Sequence, residues 1–334
     1  MIEINRRSFC RSTITAFSAA APLAGEPLPP FPHTSLSNGI IDALVFLPDA
    51  KAGYYRSVRF DWSGMLAQVR WKEHTFFQPW ESSNELAESL RAHNPNATGD
   101  GAGLAEEFRN PLGYNAARPG TPFVKVGVGL LIRPDDRPYH FARAYDLRLA
   151  PPWQVSTGKD QIKFVQKLNS GFGYGYQYTK RIVLERGASL VVAHELENTG
   201  TRQIRTNTYC HNFFQFDGKP AGPGYEVDFA APVQPEGDLK GWADSQGNTL
   251  RILHRFRGAD ALGFPIVVEG RRNEFAITNR QTATRVRVSG SMKLVSFYLW
   301  TSESSVCPEP MIDIELDPGG VARWDNRYIF EEEK

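Results

Sequence analysis

From Gly39 almost to the end of the chain, apolar and polar side chains alternate with a period of two, and no sustained helical pattern interrupts them. Short turns punctuate the alternation. "GIIDALVFLPD" ends in one, and "MLAQVRW", the "KEH" turn and "TFF" read as a hairpin. "QIKFVQKL" and "YQYTKRIVLERGASLVVAHELENTG" continue the pattern, with Arg186-Gly187 and Asn198-Thr199-Gly200 as turns. Further runs follow in "TLRILHRF", "EFAITN", "TRVRVSG", "KLVSFYLW", "MIDIEL" and "VARWDNRYIF". Strands recurring roughly every 8 to 15 residues with no room for crossover helices predict an all-β chain, a large antiparallel β-sandwich. Composition agrees: glycine (29), proline (23), phenylalanine (21) and tyrosine (12) are plentiful and methionine (4) is scarce. One piece breaks the rule. "SSNELAESLRAH" carries a cap and early acids, which predicts a helix over 82–93, and "NPNATGDGAG" after it reads as a loop.

The first 25 residues stand apart. Asn5-Arg6-Arg7-Ser8-Phe9-Cys10-Arg11 resembles a twin-arginine export signal, followed by a weakly apolar, Ala-rich run with small residues around 19–24. The run is too short to anchor in a bilayer. The expectation is a signal segment over 1–25, a single mature domain over 26–334, and a periplasmic or secreted address. Removing the signal leaves Cys210 and Cys307. A net charge of +1 gives no electrostatic case for nucleic acid or for a membrane partner once the signal is gone.

Several familiar motifs fail on inspection. "GFGYGYQY" has dinucleotide-like glycine spacing but leads into a strand, and "HELEN" at His194 lacks a second histidine four residues on, so His194 reads as a surface or core histidine. "TGKD" is not a phosphate loop, and neither a paired-cysteine metal spacing nor a G-x-S-x-G elbow is present. The sequence therefore predicts no cofactor and no metal.

Two stretches remain: "TYCHNFFQFDG" (208–218) and "FYLWTSESSVCPEPMIDIELDPGGVARWDNRYIF" (297–330). Together they resemble the aldose 1-epimerase (galactose mutarotase-like) family. The family's Asn-His-Thr/Ser-Tyr-Phe-Asn-Leu motif is matched by Cys210-His211-Asn212-Phe213-Phe214-Gln215-Phe216, with cysteine in place of the asparagine. The family's C-terminal glutamate, followed by a Leu-x-Pro-Gly turn, is matched by Glu309 and Leu316-Asp317-Pro318-Gly319. The lead-in "LVVAHELENTGTRQI" fits as well, and the resemblance spans roughly 160–330. It implies the mutarotase-like supersandwich, a mono- or oligosaccharide substrate, and cofactor-free acid–base chemistry with Glu309 as base and His211 as acid. A second family histidine has no counterpart, and "GTPFVKVGVG" (120–129), placed near its position, offers Lys125. For the family's substrate-holding arginine, "GYYRSVRFDWSG" (53–64) offers Arg59.

The residues themselves leave alternatives open. Pro308 and Pro310 fix φ on either side of Glu309 and remove two backbone donors, which suits either a rigidly held base or a solvated acid on a sheet edge. Alternation puts Tyr209, His211 and Phe213 on one face, a sugar-stacking surface or an aromatic core, and Cys210 and Asn212 on the other. Cys307 falls on the face of Glu309, which argues against a Cys210–Cys307 disulfide. Interconversion of anomers needs a base and an acid, expected across one cleft with room for a pyranose between Glu309 and His211. A non-catalytic carbohydrate-binding protein and a lyase, with Lys125, Arg59 or Tyr114 supporting the base, remain the other readings of the same fold.

Overall fold

A computed structural model describes residues 31–333 apart from 79, 81–100 and 144. The signal segment and the helix expected over 82–93 lie outside the described residues. Among those described there are twenty-three strands, and the only helical pieces are three short 3-10 turns, Tyr114–Ala116, Phe216–Gly218 and Glu269–Arg271. Two antiparallel sheets dominate. The larger has ten strands in the order Ala243–Gln246, Thr249–Ile252, Tyr225–Phe229, Glu274–Asn279, Thr284–Gly290, Val321–Glu332, Ser189–Asn198, Gly175–Glu185, Gln161–Asn169 and Trp153–Thr157. The second has six: Val233–Pro235, Ala261–Val268, Ser296–Ser302, Ser305–Leu316, Ile204–Asn212 and Leu104–Phe108. A four-stranded sheet (His33–Ser37, Ile41–Phe46, Leu66–Trp71, His74–Thr75) and a three-stranded one (Pro122–Lys125, Gly129–Ile132, Leu147–Leu149) complete the architecture.

Alternation decides what each sheet face meets. Phe164, Ile182 and Leu190 of the ten-stranded sheet share one core with Cys210, Phe264, Leu299 and Val306 of the six-stranded sheet and with Ile41, Val45 and Val69 of the four-stranded one. The opposite face of the six-stranded sheet supplies Ala105, Phe213 and Cys307 to a second core, with Phe46, Tyr54, Phe60, Phe123 and Tyr145 from the N-terminal segments. Successive residues therefore end in different cores. Cys210 and Cys307 are both free and buried, on opposite sides of one sheet.

Two features depart from a simple strand reading. Residues 53–65 form no strand, yet every one of them is buried. A buried loop needs partners for its backbone groups, and the side chains of the loop and a neighbouring strand supply them. The Tyr55 hydroxyl accepts from the amides of Arg59 (3.2 Å) and Phe60 (2.9 Å), and the Trp62 indole donates to the Ser57 carbonyl (2.8 Å). Asp61 N–H donates to Glu106 O at 2.8 Å, which ties the loop to the free side of the strand Leu104–Phe108.

The second departure is the Pro-Glu-Pro strand. It is not an edge: Ser305–Leu316 runs between Ser296–Ser302 and Ile204–Asn212. Pairing with Ser296–Ser302 continues along the whole neighbour, from Ser302↔Ser305 to Ser296↔Met311. Pairing with Ile204–Asn212 begins at Ile204↔Leu316 and stops at Tyr209↔Met311. The next residue, Pro310, has no N–H to offer, nor has Pro308. The prolines thus open the ladder beside Glu309 on one flank while the other flank holds the strand.

Candidate functional site

Where that ladder opens, His211 and Glu309 meet. His211 Nε2 and Glu309 Oε1 lie 3.1 Å apart, with side chains only 5% and 8% exposed. The imidazole stacks on Phe213 at 4.1 Å and 16°, and Phe60 and Trp300 pack edge-on at 5.7 and 5.6 Å. One row along the sheet, Tyr209 sits opposite Glu107 of the strand Leu104–Phe108. The Tyr209 hydroxyl donates to Glu107 Oε2 at 2.6 Å and accepts from Arg59 Nη2 at 2.9 Å. Arg59 Nε donates to the same carboxylate oxygen at 3.0 Å, and Lys125 Nζ donates to Glu107 Oε1 at 3.0 Å and to the Tyr139 hydroxyl at 2.8 Å. Phe60 and Phe141 lie 4.5 and 4.3 Å from the guanidinium carbon of Arg59. All six candidate side chains therefore gather on one face of the six-stranded sheet, around a hub, Glu107, that the sequence reading did not single out.

Burial sets the charges. Desolvation alone would raise the Glu107 carboxyl, but Lys125 and Arg59 outweigh it and hold the pKa at about 2. Glu309 has no such partner. Burial pushes its carboxyl up to about 8, against the pull of Arg59, so it is mostly protonated at neutral pH. His211 is held well below its ordinary value by burial and then by Arg59, so it is neutral. The Nδ1 of His211 is buried with no hydrogen-bond partner.

Two expectations need correction. The gap between Glu309 and His211 does not admit a sugar ring, because neighbouring strands carry them side by side. Nor do Lys125 and Phe213 offer an open surface. Lys125 is fully buried against Glu107, and the 1%-exposed Phe213 is stacked between His211 and Trp80 (5.8 Å). Tyr114 stays outside the cluster: its hydroxyl donates to Arg137 O, and its ring packs on Tyr139 at 5.5 Å.

A second polar cluster lies on the other side of the same strand, between the two large sheets. Glu106 Oε2 is 2.7 Å from both Lys180 Nζ and His194 Nε2, and Lys180 reaches Asp61 Oδ2 at 2.6 Å. Lys180 and His194 are direct cross-strand partners, and His194 stacks on Trp324 at 4.7 Å. His194 is thus a core histidine. Asp61 and Arg59, two residues apart, link one cluster to each face. A groove of about 510 Å³ lined by Asp228, Thr249, Glu274 and Arg285 lies elsewhere, on the ten-stranded sheet. Its two arginines are already paired, Arg285 with Asp228 at 3.3 Å and Arg287 with Glu331 at 3.0 Å, and it contains no histidine or buried acid, so the chemistry points to the His211–Glu309 face.

No family model matches the chain, and no curated protein matches it in sequence. Solved structures do match. The Slr1438 protein from Synechocystis sp. PCC 6803 superposes with a TM-score of 0.57 at 14% identity, covering 95% of this chain and all of that one. A putative aldose 1-epimerase from Escherichia coli K12 gives 0.56 at 15% identity, covering 90% and 99%. A galactose mutarotase-like protein from Lactobacillus casei gives 0.53 at 12% identity, covering 90% and 100%. At these identities the likeness establishes architecture: the chain has the galactose mutarotase-like fold.

Proposed function

We propose that the protein acts on a mono- or oligosaccharide as a cofactor-free aldose 1-epimerase, with the His211–Glu309 pair moving the protons. The carrying observation is the contact itself. A protonated carboxyl beside a neutral imidazole holds one mobile proton, and the pair can present a donor and an acceptor at once. The hydroxyl oxygen and ring oxygen of a pyranose are bonded to the same anomeric carbon, so adjacent groups on one side of the sugar can reach both. One member takes the hydroxyl proton while the other protonates the ring oxygen. The C1–O bond of the ring breaks and the carbonyl forms at C1. After rotation about C1–C2 the protons travel back, the ring closes on the other face, and the pair is as it began. Which member acts as base depends on where the shared proton rests: with that proton on His211 it is Glu309, and with it on Glu309, the resting state, it is His211.

Polarimetry on freshly dissolved α-glucose, α-galactose and α-uronic acids tests this. Wild type should speed the decay of rotation. Glu309→Gln and His211→Asn should each slow it by about 10²- to 10⁴-fold, with a combined loss less than multiplicative. A wild-type rate equal to buffer for every sugar would reject the epimerase. The side-by-side placement of His211 and Glu309 also favours a second reading, a carbohydrate-binding protein that holds a sugar without turning it over. Calorimetric binding with no anomer exchange identifies that case, and an unsaturated product would identify a lyase.

The address belongs to the same proposal. The paired Arg6-Arg7 supports twin-arginine export, with a mature domain over 26–334 acting in the periplasm or outside the cell. Export of an Arg6→Lys, Arg7→Lys double variant at the wild-type level would remove that support.

A further inference from the structure

We infer that the sugar taken by this site carries an anionic substituent, a carboxylate or a phosphate, and that Arg59 receives it. The inference rests on the site proposed above and adds its substrate class. The first ground is the charge count. Two cations, Arg59 and Lys125, share one carboxylate, Glu107, and the remaining bonds of the knot go to the neutral hydroxyls of Tyr209 and Tyr139. Glu309, within electrostatic reach of Arg59 but not bonded to it, is kept protonated at neutral pH by burial and so does not balance the surplus. One net positive charge is left where water is nearly excluded, and an uncompensated buried charge is costly.

The second ground is where the surplus sits. Lys125 and Glu107 are 0% and 1% exposed, whereas Arg59 is 10% exposed, beside Glu309 at 8% and His211 at 5%. The closed end of the cluster holds the matched pair, and the end that meets solvent holds the guanidinium. Arg59 uses Nε on Glu107 and Nη2 on Tyr209, which leaves Nη1 without a hydrogen bond among the described residues. Phe60 and Phe141 pack against the guanidinium and the Tyr209 hydroxyl fixes one edge, so its orientation is set before any ligand arrives. A preorganised guanidinium with a spare donor, in an apolar surround, is the usual receptor for a carboxylate or phosphate.

The test is calorimetry on the wild-type protein with three sets of sugars: neutral hexoses, the corresponding hexuronic acids and the corresponding hexose 6-phosphates. The acidic sugars should bind at least tenfold tighter than their neutral parents, and the set with the larger gain identifies the anion. Arg59→Gln should abolish that preference, so that acidic and neutral sugars bind with affinities within about threefold of each other. Should Arg59→Gln fold poorly, Arg59→Lys keeps the charge and loses the fork, and it should retain only part of the preference. Equal or weaker binding of acidic sugars by the wild type would overturn the inference, even if neutral sugars are epimerised. Acidic sugars that bind tightly without anomer exchange would support it while the epimerase reading fails. No binding by any set would reject both.

Discussion

Asn212 donates its side-chain amide to the carbonyl of Pro308 at 2.6 Å, one residue before Glu309 and one after His211. Its side-chain oxygen accepts from the Tyr328 hydroxyl at 2.9 Å, so a buried amide bridges the gap that the prolines leave in the ladder. The side chain faces the core between the sheets while its neighbours His211 and Phe213 face the other way. Asn212 is a positioning residue: it fixes the separation of the two strands at the level of the proposed pair.

Asn212→Ala should therefore lower stability by about 1–3 kcal/mol, since it leaves the buried Pro308 carbonyl without its side-chain donor and takes an acceptor from the Tyr328 hydroxyl. Tyr328→Phe removes one hydroxyl and should cost less, about 0.5–1.5 kcal/mol. Denaturant midpoints measure both. The kinetic readout separates positioning from mere stability: below the melting transition, Asn212→Ala should reduce kcat more than it raises KM, and Tyr328→Phe should leave both nearly unchanged.

The pH profile of sugar turnover follows from the pair holding one proton. The rate should fall above about pH 8, where Glu309 loses its proton to solvent and the pair no longer holds a mobile proton to give. It should stay level down to well below the ordinary histidine range, because burial keeps His211 neutral there. An activity that rises through pH 8 would mean that an ionised Glu309 with a neutral His211 is the working form.

Much of this was readable in the sequence, for a reason each part makes plain. Strands were legible because a sheet with two buried faces still sorts its side chains by parity, as His211 and Cys210 show. The pairing of Glu309 with His211 came through the resemblance of two stretches, 208–218 and 297–330. Glu107 stayed hidden. In "LAEEF" two adjacent acids look like one polar interruption, yet in a strand they must face opposite ways, and each is buried in a different cluster. The Pro-Glu-Pro segment misleads by the usual association of prolines with edges. Here the missing donors create the opening inside the sheet, which period-two reasoning cannot foresee without the partner strand.

The inter-sheet cluster predicts a large structural effect with no chemical one. Lys180→Met leaves Asp61 and Glu106 buried without their cation and should destabilise by about 3–5 kcal/mol. The midpoint of denaturation measures it, and the turnover of the protein that remains folded should change little.

Stability against pH should separate Glu309 from the two other buried acids, Glu106 and Glu107. Glu106 and Glu107 have carboxyls held at about 2, below the ordinary glutamate value of 4.5, so their contribution is present above pH 4.5 and is lost as the pH falls toward 2. Glu309 has the opposite sign. Its folded pKa of about 8 lies above the unfolded one, so the native state keeps a proton that the unfolded chain has released. Its contribution is fully present below pH 4.5 and is lost as the pH rises through 8. A glutamine at 309 carries no proton to lose. Glu309→Gln should then match the wild type in unfolding free energy near pH 4.5 and exceed it increasingly up to about pH 8, by an amount on the order of a few kcal/mol, with melting temperature following the same trend. Melting curves of the two proteins at several pH values decide the matter. A difference that stays constant with pH would show that Glu309 titrates normally, and the resting proton assigned to the pair would have to be placed elsewhere.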